Sequence, residues 1–270
     1  MTMADEQIVR VNGLSFRCRQ DGLEGAPWLV FSNSLLTDLS LWDAQVARFG
    51  GQYRILRYDQ RGHGGTQAPE EPSTLDQLAA DAEALMAHFG IEAATFVGVS
   101  MGAATGLLLA SREPGRVAAV IASDGQAGTA PGGAQAWQER MDMARVEGMD
   151  AFAAATLKRW FAPASYSAGN PALERVRAMI RATSEAGFVA CARALQNYDF
   201  RGSLPSLQQP VLLVAGAADG AMPTTMRDMA KVIPNARFVE IPDAGHLPCI
   251  EAPSAFNEKM EAFLAEIRFT

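Results

Sequence analysis

Residues 94–110 read Ala-Thr-Phe-Val-Gly-Val-Ser-Met-Gly-Ala-Ala-Thr-Gly-Leu-Leu-Leu-Ala, and the order of these residues decides the fold. An apolar, partly β-branched run meets Gly98-Val99-Ser100-Met101-Gly102 and passes directly into a helical run over 103–113. A serine on so tight a strand-to-helix turn is held in strained geometry with its hydroxyl exposed. Its flanking glycines are needed because side chains there would clash. The five-residue pattern alone arises by chance in many chains, and the strand–turn–helix setting makes it specific.

Outward from this turn, short apolar runs at 28–32, 55–58, 117–122, 211–215 and 238–241 read as buried strands. They alternate with helical patterns, the mark of βαβ units and a mostly parallel sheet. Residues 9–17 read as an initial antiparallel hairpin turning at Asn12-Gly13. Thr74 and Gln77 form a capping box for a helix with Leu75, Leu78, Ala82, Leu85, Met86 and Phe89 on one face, and Gly90 supplies its stop. Pro253 opens a last helix carrying Phe256, Met260, Phe263, Leu264 and Ile267. From about residue 124 to 205 strand-like runs vanish and helical patterns take over, broken by Gly132-Gly133, Gly148, Pro163 and Asn170-Pro171. The expected organisation is an α/β core over 1–123 and 206–270, with a helical cap over 124–205. Such a cap lies over the strand ends, where α/β sheets bind ligands.

Composition narrows the function. The 270 residues carry 23 Lys+Arg against 30 Asp+Glu, net −7, with no basic run to hold phosphates, which argues against nucleic acid. Residues 1–10 include Asp5 and Glu6 and lack the basic and apolar regions of a signal peptide. No apolar stretch reaches the roughly 18 residues needed to span a membrane. Cys18, Cys191 and Cys249 are odd in number and far apart, which fits buried thiols in a reducing compartment. A soluble cytoplasmic protein is expected.

A serine hydroxyl needs a base. His246, in Pro242-Asp243-Ala244-Gly245-His246 after the last strand, stands where the base belongs in the chain order Ser…Asp…His. His63, in Arg61-Gly62-His63-Gly64, reads instead as shaping a loop near the pocket rim, and His88 as a surface or boundary residue of its helix. The base needs a carboxylate to fix its tautomer. Asp219, in a Gly-rich loop after the 211–215 strand, is favoured, and Asp124, at the end of the preceding strand, competes with it. Asp243 is too close in sequence to His246 to reach its ring. Two backbone N–H groups must stabilise the oxyanion: Met101, after the nucleophile, and Ser34, in Ser32-Asn33-Ser34-Leu35-Leu36.

With these residues in place the chain resembles the α/β-hydrolases with a helical cap, and within them the 3-oxoadipate enol-lactonases. The likeness is carried by Ser32-Asn33-Ser34-Leu35, the 37–43 segment Thr-Asp-Leu-Ser-Leu-Trp-Asp, the 57–64 segment Arg-Tyr-Asp-Gln-Arg-Gly-His-Gly and the Ser100 turn. Glu147-Gly148-Met149 and Arg159-Trp160-Phe161 extend it into the cap. The resemblance implies Ser100 as nucleophile, Asp219 as acid, His246 as base, Ser34 and Met101 as oxyanion donors, and Trp137 as an aromatic wall. Leu36 and Ala103 stand where those lactonases commonly have glycine, and Ser123-Asp124-Gly125-Gln126 replaces their Asn-Thr-Ala-Ala phrase. These departures are expected to line the pocket.

The activity implied is hydrolysis of a small ester or lactone through an acyl-enzyme, without metal or organic cofactor. A general carboxylesterase, a C–C bond hydrolase or a cofactor-free perhydrolase would use the same triad, and a non-catalytic binding protein of this fold is the alternative from another class. Residues 123–205 hold nine Lys/Arg against eight Asp/Glu, so the acidity belongs to the core. An anionic lactone then needs positive charge from the cap, and one of Arg140, Arg145 or Arg181 is expected to point into the pocket, with Arg140 and Leu36 beside the substrate.

Overall fold

The apolar runs become the strands of one eight-stranded sheet in the computed structural model, which describes residues 5–267. In chain order they are β1 (Asp5–Val11), β2 (Leu14–Gly22), β3 (Trp28–Ser32), β4 (Arg54–Tyr58), β5 (Ala94–Val99), β6 (Val117–Ser123), β7 (Val211–Gly216) and β8 (Ala236–Ile241). Residues 1–4, part of the segment read for a signal sequence, lie outside the described residues. Asn12 and Gly13 both have positive φ, 48° and 79°, as the tight β1–β2 hairpin requires. All residues of β5 and β7 are buried, which is why both read as near-continuous apolar runs, with Thr95 in β5 the one polar side chain, rather than as alternating ones.

The strand order is β1-β2-β4-β3-β5-β6-β7-β8, antiparallel at β1–β2–β4 and parallel from there on. After β3 the chain steps outward to β4, then returns to place β5 on the other flank of β3. This reversal opens a crevice at the carboxyl ends of β3 and β5, where open α/β sheets bind ligands. Ser32 pairs with Gly98 and Val99 with Ser123, so the loops leaving these strands emerge side by side.

Helices cover both faces. They are α1 (Asp43–Phe49), α2 (Leu75–His88), α3 (Met101–Arg112), α4 (Gly133–Trp160), α5 (Pro171–Ala182), α6 (Glu185–Gln196), α7 (Met222–Val232), α8 (Pro248–Glu251) and α9 (Pro253–Leu264). The Thr74–Gln77 capping box forms at the start of α2, and Gly90 takes φ +66° after its end. α9 stops before Ile267, which lies beyond the helix yet packs against the core.

Between β6 and β7 the described residues form only helical elements and an isolated bridge from Gly128 to Asp199. Gly148 breaks α4 into two helices with φ 81° and ψ 164°. Asn170 and Ser184 cap α5 and α6 with their side chains. α4 packs on α5 and α6. Cys18, Cys191 and Cys249 are buried free thiols. No helix among the described residues is long and apolar enough to cross a membrane.

Candidate active site

Ser100 sits between β5 and α3 with φ 56° and ψ −113°, left-handed backbone that costs a non-glycine residue about 1–2 kcal/mol. The two glycines around it are sterically obligatory. A Cβ on Gly98 would lie 2.2 Å from the Gly102 carbonyl oxygen, and one on Gly102 would lie 2.1 Å from that of Ser32. The Ser100 N–H donates to the Ser123 carbonyl at 2.8 Å, which extends the β5–β6 ladder through the turn.

The same extension holds the loops beyond. Asp124 N–H donates to Val214 O at 2.9 Å, Ala217 N–H to Ile241 O at 2.9 Å and Ala218 N–H to Ala244 O at 2.8 Å. Asp219, after β7, and His246, after β8, thereby meet: His246 Nδ1 lies 2.7 Å from Asp219 Oδ2, with both side chains about one-seventh exposed. Burial opposes the charge on Asp219, but the His246 field, hydrogen bonds from His246 and Asp124, and the charge of Arg159 hold it below the usual carboxylate range. The Trp160 ring lies 5.3 Å from the His246 ring, centre to centre.

The loop after β3 is pinned from several sides. Asn33 donates through Nδ2 to Tyr58 O at 3.1 Å, accepts Trp42 Nε1–H at 2.9 Å, and its carbonyl accepts Gln60 Nε2–H at 2.6 Å. The Ser34 carbonyl accepts Thr37 Oγ1–H at 2.9 Å. Among the described residues the Ser34 N–H donates to no acceptor, and Met101 N–H opens α3, where a helix leaves its first donors unpaired. Both amides are therefore available. Leu36 takes φ +67°, which explains why glycine suits this position in the lactonases it resembles.

A cavity of about 310 Å³ brings together Ser100, Met101, Leu36, Asp219 and His246 from the core with Trp137 and Arg140 from α4. Asp124, Gly125 and Gln126 also line it, as expected, but Ser123 and Ala103 do not. Ala103 is buried, and a Cβ on Gly125 would stand 2.6 Å from its methyl, so the extra methyl at 103 is accommodated by glycine at 125. Ser34 is buried and does not line the cavity with its side chain. His63, expected near the rim, is fully buried with Nδ1 at 2.9 Å from Arg61 O, and burial pulls it down to about 4, so it stays neutral. His88 is exposed.

Of the three arginines expected to reach the pocket, Arg140 lines the cavity, its guanidinium 4.6 Å from the Trp137 ring centre. Arg145 is exposed, and Arg181 pairs at the surface with Asp150 at 2.5 Å. A second arginine was not foreseen: Arg159, in the last turn of α4, lines the cavity while keeping part of its surface in solvent. Partial desolvation and then the Arg140 charge lower it to about 10, still cationic at neutral pH. Among the described residues neither Arg140 nor Arg159 forms an ion pair with a carboxylate.

Asp124, the competitor for the acid, reaches the same place without touching the base. Its Oδ1 accepts the Gly216 N–H at 2.8 Å and its Oδ2 lies 2.6 Å from Ser123 Oγ. Asp124, Asp219 and His246 each bring one potential ligand atom within 4.8 Å of one another, the one such trio among the described residues. Asp219 and His246 are already hydrogen-bonded to each other, which favours a catalytic pair over a metal centre.

A family profile described as alpha/beta hydrolase fold matches residues 27–253. Among curated proteins, the chain is 37% identical over 246 residues to 3-oxoadipate enol-lactonase 2 of Acinetobacter baylyi, covering 90% of each chain. It is 27% identical over 245 residues to a protein named as a carbamate hydrolase from Pseudomonas savastanoi, covering 88% of this chain and 94% of that one. Among solved structures, the enol-lactonase of Burkholderia xenovorans superposes with a TM-score of 0.91 at 38% identity, over 96% of this chain and 100% of the other.

Proposed function

The chain belongs to the alpha/beta hydrolase fold family, and from that premise we propose that it is a cytoplasmic serine hydrolase opening a small anionic lactone, with 3-oxoadipate enol-lactone as the substrate. It is a hydrolase of lactonase or esterase type. Residues 124–205 act as the cap over residues 1–123 and 206–270.

The reaction follows from the site. Ser100 Oγ attacks the lactone carbonyl while His246 Nε2 takes its proton, and Asp219 holds the opposite nitrogen and stabilises the imidazolium. The carbonyl oxygen becomes an oxyanion received by the N–H groups of Ser34 and Met101. Collapse breaks the ring C–O bond, and His246 returns the proton to the enol oxygen, which stays tethered to the acyl chain. A water activated by His246 then releases the acid and frees Ser100. Arg140 and Arg159 receive the substrate's remote carboxylate, while Trp137 and Leu36 wall its carbon skeleton.

The observation that carries this reading is the convergence of Ser100, an Asp219-held His246 and two arginines free of carboxylate partners on one cavity. The anionic specificity is tested by comparing kcat/KM for enol-lactones with a free carboxylate, their methyl esters, saturated lactones and p-nitrophenyl esters. Preference for the free carboxylate supports the reading, and equal or greater turnover of the neutral ester contradicts it.

A further inference from the structure

Asp124 lies one residue past β6 with φ +47° and is 1% exposed. Its polar partners are neutral dipoles: the Gly216 N–H on Oδ1 and the Ser123 hydroxyl on Oδ2. Its other close neighbour is the carboxylate of Asp219, whose Oδ2 is committed to His246. Two carboxyl groups within 4.8 Å of each other, one fully buried and the other about one-seventh exposed, resist ionising together, because like charges there are poorly solvated and poorly screened. One proton must lie between them, and the cations decide where. His246 and Arg159 both favour the charged form of Asp219, whereas no cation is paired with Asp124.

We propose that Asp124 is held as a neutral carboxylic acid whose O–H donates to the Asp219 carboxylate, making it the positioning residue that fixes the acid of the triad. This rests on the reading of Ser100, His246 and Asp219 as that triad. Asp219 is then gripped from both sides, by His246 on Oδ2 and by Asp124, so its carboxylate cannot turn away from the imidazole when the base becomes charged. The proton on Asp124 stays in place throughout the cycle. Burial first, and then the Asp219 charge, push the Asp124 carboxyl well above the ordinary carboxylate range. The remaining titratable groups that bear on the pair are the buried Cys249 thiol and Glu251, both held toward their neutral forms by burial.

The position after β6 and the position after β7 can each serve as the acid in this architecture, and here both are filled. The hydrogen bonds separate their roles: Asp219 is bonded to the base, whereas Asp124 is held by Gly216 and Ser123 with a carboxylate oxygen within 4.8 Å of Asp219.

The test compares Asp124→Asn, Asp124→Ala and Asp219→Asn in the full-length enzyme. Asparagine keeps a donor toward Asp219 and an acceptor for the Gly216 N–H, whereas alanine keeps neither. The expected result is that Asp124→Ala lowers kcat at least tenfold with KM changed less than threefold. Fluorophosphonate labelling of Ser100 should slow in proportion, and Asp124→Asn should recover most of the loss. An Asp124→Asn variant as impaired as Asp219→Asn would overturn the proposal, because Asp124 would then be needed as an anion. An Asp124→Ala variant that folds and keeps its kcat would overturn it too.

Infrared difference spectra of wild type against Asp124→Asn at pH 8 provide a readout independent of turnover. A protonated-carboxyl C=O band should be present in the wild type and absent in the variant. No such band would mean Asp124 is ionised. A Ser100→Ala enzyme that still turns over would instead sink the triad reading, leaving the infrared result to stand by itself.

Discussion

The backbone N–H of His246 donates to the carbonyl of Trp160 across 2.6 Å, tying the loop after β8 to the last turn of α4. Glu251 strengthens the tie by accepting the N–H groups of Ala162 and Gly245, both at 3.0 Å. The position of the base is therefore set by the helical segment above it as well as by the sheet below.

This junction leaves no room at Gly245, where a Cβ would stand 2.0 Å from the Trp160 carbonyl oxygen. Gly245→Ala must push the two backbones apart and shift His246. A displacement of about 1 Å costs about 100-fold in rate. Steady-state kinetics should show that loss in kcat, with the secondary structure preserved by circular dichroism.

Arg140 and Arg159 face the cavity without carboxylate partners. A charge-assisted hydrogen bond to a substrate carboxylate is worth about 1.5–3 kcal/mol, so Arg140→Gln and Arg159→Gln should each raise KM for an anionic lactone about tenfold or more. KM for a neutral p-nitrophenyl ester should move little. Rising salt should weaken the wild-type enzyme's preference for the anion and leave the double variant unaffected.

Leu36 is both strained and buried, with φ +67° and 1% exposure. Glycine there relieves about 1–2 kcal/mol of backbone strain. It gives up about 2 kcal/mol of side-chain burial and a further 0.5–1 kcal/mol, roughly, of chain entropy. Leu36→Gly should therefore be less stable by about 1 kcal/mol and lower the melting temperature by a few degrees. The widened wall should improve kcat/KM for bulkier acyl chains relative to short ones.

Much of this site is legible in the sequence because its geometry rests on residues with few substitutes. Gly98 and Gly102 announce the Ser100 turn, since any side chain would strike the backbone opposite. β5 and β7 announce themselves because parallel strands buried on both faces are almost wholly apolar, Thr95 of β5 being the one polar side chain in the two. Arg159 was hidden because a cationic residue in the last turn of a helix reads as an ordinary solvated, dipole-matched end. The role of Asp124 was hidden for a different reason. Its partners, Gly216 and Asp219, lie some ninety residues away and are brought to it only by the β6–β7 register. The pairing of Ala103 with Gly125 likewise exists only once α3 and the loop after β6 meet.

Three buried groups give stability a pH dependence with distinct windows. A folded-state pKa above the unfolded one means that the native state holds the extra proton, so stability falls as pH rises toward the folded pKa. Asp59, pushed up to about 6 by burial, contributes this fall only to about pH 6. His63, pulled down to about 4 by burial, acts in the opposite sense and only below its unfolded pKa of about 6.5. Asp124, pushed well above the ordinary carboxylate range by burial and then by the Asp219 charge, acts in the same sense as Asp59, and the neutral form proposed above carries that fall past pH 7. Urea denaturation midpoints between pH 7 and pH 8 should decline for wild type and stay flatter for Asp124→Asn. Parallel curves would mean that Asp124 is already ionised.

The most direct test of the account is enol-lactone turnover by Ser100→Ala. Loss of the nucleophile alone should lower kcat by about 10⁴–10⁶-fold, by analogy with removal of one member of a catalytic triad. The melting temperature should remain close to wild type. A folded Ser100→Ala enzyme that hydrolyses the lactone within about tenfold of the wild-type rate would show that the chemistry does not pass through Ser100.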